Sequence, residues 1–220
     1  MTDYLGYYLV AIVVGYFLGC IQSGFLIGKA DGLDIRKYGS GNAGTTNVLR
    51  TLGKSRAFIT FLGDSLKGFI PVLFIRFVVG PHVPGINVAF LELVTGFAVV
   101  MGHDYPVFMK FKGGKGIATT AAVMMAFDWR MGLCSFIIFV SIVALTRYVS
   151  LASILLSAAL LAEILIFHPG RWDLFAMIVL YAWFAIYRHR ANIKRLLSGT
   201  ESKLGQKVKV EKTDDHQTNA

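Results

Sequence analysis

The chain has 220 residues, of which 55% are hydrophobic and only 16% are charged. With a mean hydropathy of +0.60, this composition excludes an ordinary soluble domain and predicts an integral membrane protein. The formal net charge is +9, and its distribution along the chain is more informative than its size. Cys20 and Cys134 both lie inside apolar segments, so we expect packing residues rather than a disulfide framework or a zinc site.

Apolar segments long enough to cross a bilayer recur along the whole chain. They predict an all-α integral membrane protein with seven transmembrane helices, at about residues 4–28, 57–79, 87–109, 115–128, 131–147, 149–167 and 172–188. We expect residues 1–210 to form a single transmembrane domain and the polar residues 211–220 to form a disordered tail.

Lysines and arginines are concentrated on one side of this predicted bundle, while the other side has only Arg76, Arg130 and Arg171. The positive-inside rule then places the N-terminus outside and the C-terminus in the cytoplasm. Three basic segments that contain glycine fall together on the cytoplasmic side, at residues 39–50, 102–116 and 188–201. We therefore expect them to contribute to one site.

The first basic segment is GSGNAGTTNVLR, at residues 39–50. Its glycines match the G-x-G-x-x-G pattern, but no strand precedes them, so a dinucleotide-binding fold is excluded. If residues 46–54 are helical, Thr46, Asn47 and Arg50 share one face, which suits a ligand with several anionic oxygens. The alternative is a polar loop at the membrane interface. The candidate site residues here are Ser40, Gly41, Asn42, Thr46, Asn47 and Arg50.

The second predicted span contains the sequence GDSLKG at residues 63–68. Asp64 and Lys67 are three residues apart, so they lie on one helix face, and charged side chains inside a membrane usually mark a functional site. We expect Lys67 to bind a substrate, with Asp64 as its structural support. The alternative is an ion pair with no role beyond structure.

The segment GHDYPVFMKFKGGKG, at residues 102–116, ends where a new apolar helix is expected to begin. Amide groups at a helix N-terminus bind phosphate well, and glycine allows an anion to approach the backbone closely. The candidate substrate-binding residues are Lys112, Gly113, Gly114, Lys115 and Gly116. We expect His103 to end the preceding helix as structural support. The alternative is a solvated basic loop that fixes the topology.

The last basic segment, RHRANIKRLLSGTE at residues 188–201, continues the final span out of the membrane. Helical spacing places His189 and Asn192 on one face, where both would be useful hydrogen-bonding groups beside reacting atoms. Arg190 and Arg195 are candidate substrate-binding cations, and Glu201 is a candidate support residue. The alternative is an amphipathic basic helix that lies on anionic lipid.

Three of these segments together resemble the bacterial membrane acyltransferases that use acyl phosphate to acylate glycerol 3-phosphate. The family pattern GSGNxGxTNxxR, GHxxPxFxxFKGGKG and HRxNIxRLxxGxE is present in full and in order, and GDxxKG also fits. The resemblance implies acyl transfer to the sn-1 hydroxyl, giving lysophosphatidic acid and phosphate in the first step of phospholipid biosynthesis. It also implies that the second motif helps to bind glycerol 3-phosphate.

The reaction implied by this resemblance fixes further expectations. An acyl phosphate is already activated, so no protein nucleophile, metal or cofactor is expected. The expected partners are acyl phosphate, glycerol 3-phosphate, membrane lipid and, as a candidate, the soluble enzyme that makes acyl phosphate, but no nucleic acid. The expected location is the bacterial plasma membrane, as a multi-pass protein whose active site faces the cytoplasm.

Four residues are the candidate catalytic groups, namely Ser40, Arg50, His189 and Asn192. Ser40 and Asn192 are expected to donate to the carbonyl oxyanion, and His189 is the best protein base. A substrate phosphate is an equally serious proton acceptor, and the sequence leaves this choice open. Two other classes of protein were considered, a transporter for a phosphorylated solute and a membrane scaffold. The first would need polar motifs on both sides of the membrane, and the second leaves the glycine loops unexplained.

Overall fold

A computed structural model describes residues 4–206 of the chain. Within these residues there are eleven α-helices: α1 Leu5–Gly19, α2 Ser23–Ala30, α3 Thr45–Thr51, α4 Lys54–Phe74, α5 Gly80–His82, α6 Val88–Asp104, α7 Ile117–Phe127, α8 Trp129–Thr146, α9 Val149–Phe167, α10 Trp172–Arg188 and α11 Arg190–Leu197. Two short 3₁₀ segments, Ile35–Lys37 and Val107–Met109, and one π-helical segment, Ile75–Val79, complete the described elements. The predicted tail at residues 211–220 lies outside the described residues.

Five helical segments are long and apolar enough to cross a membrane. They are Leu5–Ala30, Lys54–His82, Val88–Met109, Trp129–Thr146 and Val149–Phe167. The fourth and seventh predicted spans correspond to α7, with 11 residues, and α10, with 17 residues, which are shorter than a usual span. The all-helical membrane fold is therefore confirmed, while the count of seven spans and the orientation stay predictions.

The first predicted span differs from the structure, because the helix is interrupted after Gly19. Gln22 has an extended backbone (φ −99°, ψ 91°) and precedes α2. Its buried side-chain amide donates to the carbonyl oxygen of His103 at 2.9 Å. The interruption also leaves the carbonyl of Ile21 without a helical partner, and Lys67 donates to it at 2.6 Å. The broken helix therefore supplies backbone acceptors to a polar cluster.

Glycines bring α1 and α6 unusually close together. A Cβ on Gly15 would lie 2.9 Å from the carbonyl oxygen of Thr95, and a Cβ on Gly19 would lie 2.8 Å from the carbonyl carbon of Val99. Small residues of this kind allow close backbone packing between membrane helices. Both helices run in the same direction and end at the same end of the bundle, where α4 and α7 begin and α10 ends. We call this the site end.

Candidate active site

Four predicted segments meet at the site end. Lys67 contacts His103 at 2.7 Å, Arg188 contacts the carbonyl of Gly114 at 2.5 Å, and Lys115 contacts Asn192 at 2.5 Å. The guanidinium of Arg50 donates to the carbonyl of Ser202 at 3.2 Å. Residues that are far apart in the sequence thus form one cluster, which joins GDSLKG of the second predicted span to the three basic segments predicted to share a site.

A buried trio, formed by Lys67, Asp64 and His103, lies at the base of this cluster. The Lys67 ammonium donates to Asp64 Oδ1 at 2.9 Å, to His103 Nδ1 at 2.7 Å and to the carbonyl of Ile21. An ammonium group has three donors, so these contacts use all of them. Asp64 contacts Lys67 as expected, and in this arrangement the Lys67 ammonium keeps no free hydrogen to donate. The contact also fixes His103 Nδ1 as an acceptor, because an ammonium can only donate.

The first two glycines of the GGKG loop, residues 113–116, pack closely against the end of α6. The Gly113 amide donates to the carbonyl of Asp104 at 3.2 Å, and the Gly114 amide donates to that of His103 at 3.0 Å. A Cβ at Gly113 would lie 2.5 Å from Pro106 Cδ. These two amides are therefore engaged inside the loop, whereas the sequence prediction had them free to bind a phosphate.

The first turn of α7 offers the amides that remain for an anion. Gly116 adopts a left-handed conformation (φ 67°), and α7 begins directly after it without a side-chain cap. The first amides of a helix have no partner within the helix and carry the positive end of its dipole. They follow Lys115 and Gly116 directly in the sequence. Gly116 allows this turn because glycine adopts positive φ without strain.

Lys115 belongs to a chain of polar contacts that links the loop to α11. Its Nζ donates to Asn192 Oδ1, and Asn192 Nδ2 donates to Glu201 Oε1 at 2.7 Å. Arg195 Nε donates to the other carboxylate oxygen of Glu201 at 2.6 Å. Burial and the nearby arginines lower the pKa of Lys115 to about 8. Glu201 is buried, but its hydrogen bonds from Asn192 and Arg195 outweigh burial and lower its pKa.

His189 is 3% exposed, between α10 and α11. Its Nδ1 lies 2.8 Å from the carbonyl oxygen of Ala185, so Nδ1 must carry the proton because a carbonyl can only accept. Nε2 is then the nitrogen with a free lone pair. Burial and the charge of Lys115 lower the pKa of His189 to about 4, so the ring is neutral at neutral pH. This tautomer can accept a proton from a substrate hydroxyl.

The first glycine motif is organised by its asparagines. Asn47 Nδ2 donates to the carbonyls of Ile35 and Tyr38, and its Oδ1 accepts from the amide of Ser40 at 2.9 Å. Asn42 accepts from the amide of Gly44 at 2.8 Å. The helix expected over residues 46–54 ends at Thr51, as α3, and still contains Thr46, Asn47 and Arg50. The side chains of Asn42 and Asn47 hold the loop in shape, while Ser40 and Gly41 are exposed at its tip. Gly41 has φ 69° and needs the freedom of glycine.

The remaining candidate site residues are partly buried in the cluster or exposed outside it. Thr46 is half-buried on α3, and burial lowers the pKa of Arg50 without neutralising it, since a guanidinium stays charged. Lys112 is exposed, and so is Arg190, which lies over the Tyr187 ring at 4.5 Å. These two side chains are therefore turned away from the buried contacts.

Sequence reasoning missed three residues of the cluster, Gln22, Asp104 and Arg188. Gln22 and Asp104 are polar residues within or beside apolar spans, which is a usable signal of function. Arg188 gave no such signal, because a basic residue at the end of a span is also what fixes topology. Among the described residues, no group of three or more His, Cys, Asp or Glu side chains is arranged to hold a metal ion.

An apolar groove of about 720 Å³ runs between α1, α4 and α6. Its lining includes Gly6, Val79, Leu18 and Ile70, from the far end to the site end. Ile70 and Lys67 are three residues apart on α4, so the groove reaches within one helical turn of the buried trio. The fold and site together define a helical integral membrane protein with a cationic cluster at the end of an apolar groove.

Comparison with known proteins identifies the family. Residues 9–199 match the family model described as glycerol-3-phosphate acyltransferase. A glycerol-3-phosphate acyltransferase from Thermoanaerobacter sp. (strain X514) is 44% identical over 205 residues, covering 93% of this chain and 99% of that protein. One from Clostridioides difficile (strain 630) is 43% identical over 201 residues, covering 91% and 97%.

Solved structures agree with this result. The glycerol 3-phosphate form of PlsY (YgiH), an integral membrane glycerol 3-phosphate acyltransferase, superposes with a TM-score of 0.82 at 40% identity, covering 90% of this chain and 96% of that one. The lysophosphatidic acid form superposes with a TM-score of 0.80 at 39% identity, covering 91% and 96%. The chain belongs to the glycerol-3-phosphate acyltransferase family, an integral membrane family of phospholipid biosynthesis.

Proposed function

We propose that this protein transfers a fatty acyl group from acyl phosphate to the sn-1 hydroxyl of glycerol 3-phosphate. The products are lysophosphatidic acid and inorganic phosphate. The observation that carries the proposal is the position of a strongly cationic cluster at the end of an apolar groove. A donor with a phosphate head and an acyl tail matches both parts.

The groove is the proposed seat of the acyl chain. Its walls are apolar side chains of α1 and α4, and the hydroxyl of Thr95 inside it is already bonded to the carbonyl of Leu91 at 2.7 Å. A chain lying there with its head towards Lys67 brings the acyl phosphate group next to the GGKG loop. The glycerol 3-phosphate forms and lysophosphatidic acid forms of the related structures support a site for both a phosphate and an acyl chain.

Two phosphates carry roughly −3 to −4 at neutral pH, so their repulsion must be offset before reaction. Lys67, Lys115, Arg50 and Arg195 lie within the cluster and supply cations. We place the phosphate of glycerol 3-phosphate at the start of α7, beside Lys115. Holding both substrates in reactive geometry can contribute roughly 7–11 kcal/mol to catalysis.

The proposed chemical step needs no covalent enzyme intermediate. The sn-1 oxygen attacks the carbonyl carbon, the bond from that carbon to the phosphate oxygen breaks, and phosphate leaves with the electron pair. The hydroxyl proton goes to His189 Nε2 or to a substrate phosphate. Ser40, Asn192 and loop amides are the candidate donors to the oxyanion.

The donor is tested by comparing acyl phosphate, acyl-CoA and acyl carrier protein thioester with purified protein and glycerol 3-phosphate. We expect only acyl phosphate to react, because a thioester lacks the phosphate that the cations would bind. Efficient use of acyl-CoA would overturn the proposed donor while leaving the family unchanged. Positional analysis of the product tests the sn-1 assignment separately.

We also propose that the site end faces the cytoplasm of a bacterial plasma membrane, as the charge asymmetry predicts. Single cysteines at Pro169 and Ser198, both exposed and at opposite ends, provide the test in a chain whose native cysteines are replaced by alanine. An impermeant thiol reagent added to intact cells should label the first and spare the second. The reverse pattern would invert the orientation.

A further inference from the structure

Arg188 contacts the GGKG loop directly, whereas a residue that only fixed the topology would need no such contacts. Its Nη2 donates to the carbonyl of Gly114 at 2.5 Å and lies 3.4 Å from that of Gly113. Its guanidinium carbon lies 4.8 Å from the centre of the Tyr105 ring. One side chain at the end of α10 therefore holds two successive carbonyls of the loop and stacks on the segment that precedes it.

Among residues 4–206, Asp104 is the only acidic side chain within ion-pair distance of Arg188. Its Oδ2 lies 3.7 Å from Arg188 Nε, and its side chain is 1% exposed. Both carboxylate oxygens and Arg188 Nε are buried without a hydrogen-bond partner among the described residues. Polar groups buried without hydrogen bonds are costly, so each of these two side chains depends on the other as its polar neighbour. The backbone carbonyl of Asp104 also accepts a hydrogen bond from the amide of Gly113.

We propose that Arg188, with the buried carboxyl group of Asp104 beside it, is a positioning residue for the substrate phosphate. This inference rests on the proposed seat of that phosphate at the start of α7. A loop that binds an anion must turn its carbonyls away from it, because carbonyl oxygens repel negative charge. The guanidinium holds the carbonyls of Gly113 and Gly114 in that orientation, so that the next amides, at the start of α7, point towards the anion.

The two alternatives to positioning make different predictions. If Arg188 supplied only positive charge, lysine would replace it, and Asp104→Asn would not weaken anion binding. If the pair served only packing, its loss would lower thermal stability and leave KM unchanged. Positioning requires the planar, multiply donating guanidinium, which lysine cannot reproduce.

Four variants separate these roles: Arg188→Lys, Arg188→Gln, Asp104→Asn and the matched control Arg130→Gln. Arg130 also pairs with an aspartate, Asp128, at 2.7 Å and stacks on an aromatic ring, Phe167, at 4.8 Å, but lies at the opposite end of the bundle. For each variant, KM for glycerol 3-phosphate, kcat, competitive inhibition by inorganic phosphate, and Tm are measured.

We expect both Arg188 variants to raise KM and the phosphate inhibition constant by about ten- to hundredfold, since small misplacements are costly in such sites. Asp104→Asn should raise both constants several-fold. The control should change Tm alone. A lowered KM in Asp104→Asn, or normal KM in Arg188→Lys, would overturn the proposal. So would parallel losses of Tm in all four variants with normal KM. If an Arg188 variant fails to fold, the isosteric Asp104→Asn decides.

Wild-type kinetics show separately whether the seat itself is right. Inorganic phosphate should compete with glycerol 3-phosphate in the unmodified enzyme. Absence of such competition would reject the phosphate seat at α7, whereas competition with unaffected variants would reject only the role of Arg188.

Discussion

The imidazole of His103 occupies the space into which a side chain at Gly114 would project. A Cβ built on Gly114 would overlap Nε2 and would lie 2.7 Å from Cε1 and 2.8 Å from Cδ2 of that ring. The same ring accepts a hydrogen bond from Lys67 through Nδ1. The glycine therefore links the loop to the buried trio.

We expect Gly114→Ala to displace His103 and to break its contact with Lys67. Overpacking of this kind costs about 1–3 kcal/mol, so Tm should fall along with activity. A double-mutant cycle with His103→Ala tests the cause, because relief of the overlap should make the two effects non-additive. Additive losses, or a variant with unchanged Tm, would show that the alanine does not meet His103.

The outer end of the groove offers a way to change acyl-chain selectivity. Gly6 lines it, and a Cβ added there meets no other atom within 4 Å. We expect Gly6→Phe to be tolerated and to shorten the space for the chain. Each displaced methylene costs about 0.8 kcal/mol of burial, or about fourfold in kcat/KM for long donors. Competition between long and short acyl phosphates measures this, and an unchanged preference would place the chain elsewhere.

The sequence predicted the membrane fold, most helix positions and the residues that meet at one end, because apolar length and motif composition are local signals. It did not predict the partners. The contact between Lys115 and Asn192 spans 77 positions, and no spacing rule reaches that far. The break after Gly19 was missed because hydropathy does not report a backbone interruption within an apolar segment. The packing of Gly113 and Gly114 against α6 was not predicted either. The sequence shows that these residues lack side chains but not which atoms fill the space.

The charge of Lys115 should set the alkaline limit of activity. Burial lowers its pKa to about 8, so raising the pH through this value removes a cation from the free enzyme. Because kcat/KM reports free-enzyme ionisation, kcat/KM for glycerol 3-phosphate should fall above about pH 8, while kcat changes less. Lys115→Arg stays charged at every accessible pH and should remove this limit. An alkaline fall that persists in the arginine variant would assign it to another group.

The proton acceptor can be identified through His189. Its Nδ1 is held by the carbonyl of Ala185, so Nε2 is free to accept the proton of the sn-1 hydroxyl. If it is the base, His189→Ala should lower kcat by roughly 10²- to 10⁴-fold with KM nearly unchanged. If a substrate phosphate accepts the proton, His189 only orients the hydroxyl, and the loss should stay below about tenfold.

A comparison of His189→Ala with His189→Gln sharpens this test. Glutamine can orient a hydroxyl by hydrogen bonding but is not a base near neutral pH. Full recovery of kcat in the glutamine variant would assign the proton to the substrate phosphate, whereas equal loss in both variants would assign it to His189. Tm is measured for each, because the buried ring also packs between α10 and α11. A wild-type kcat in His189→Ala would remove this residue from the catalytic step altogether.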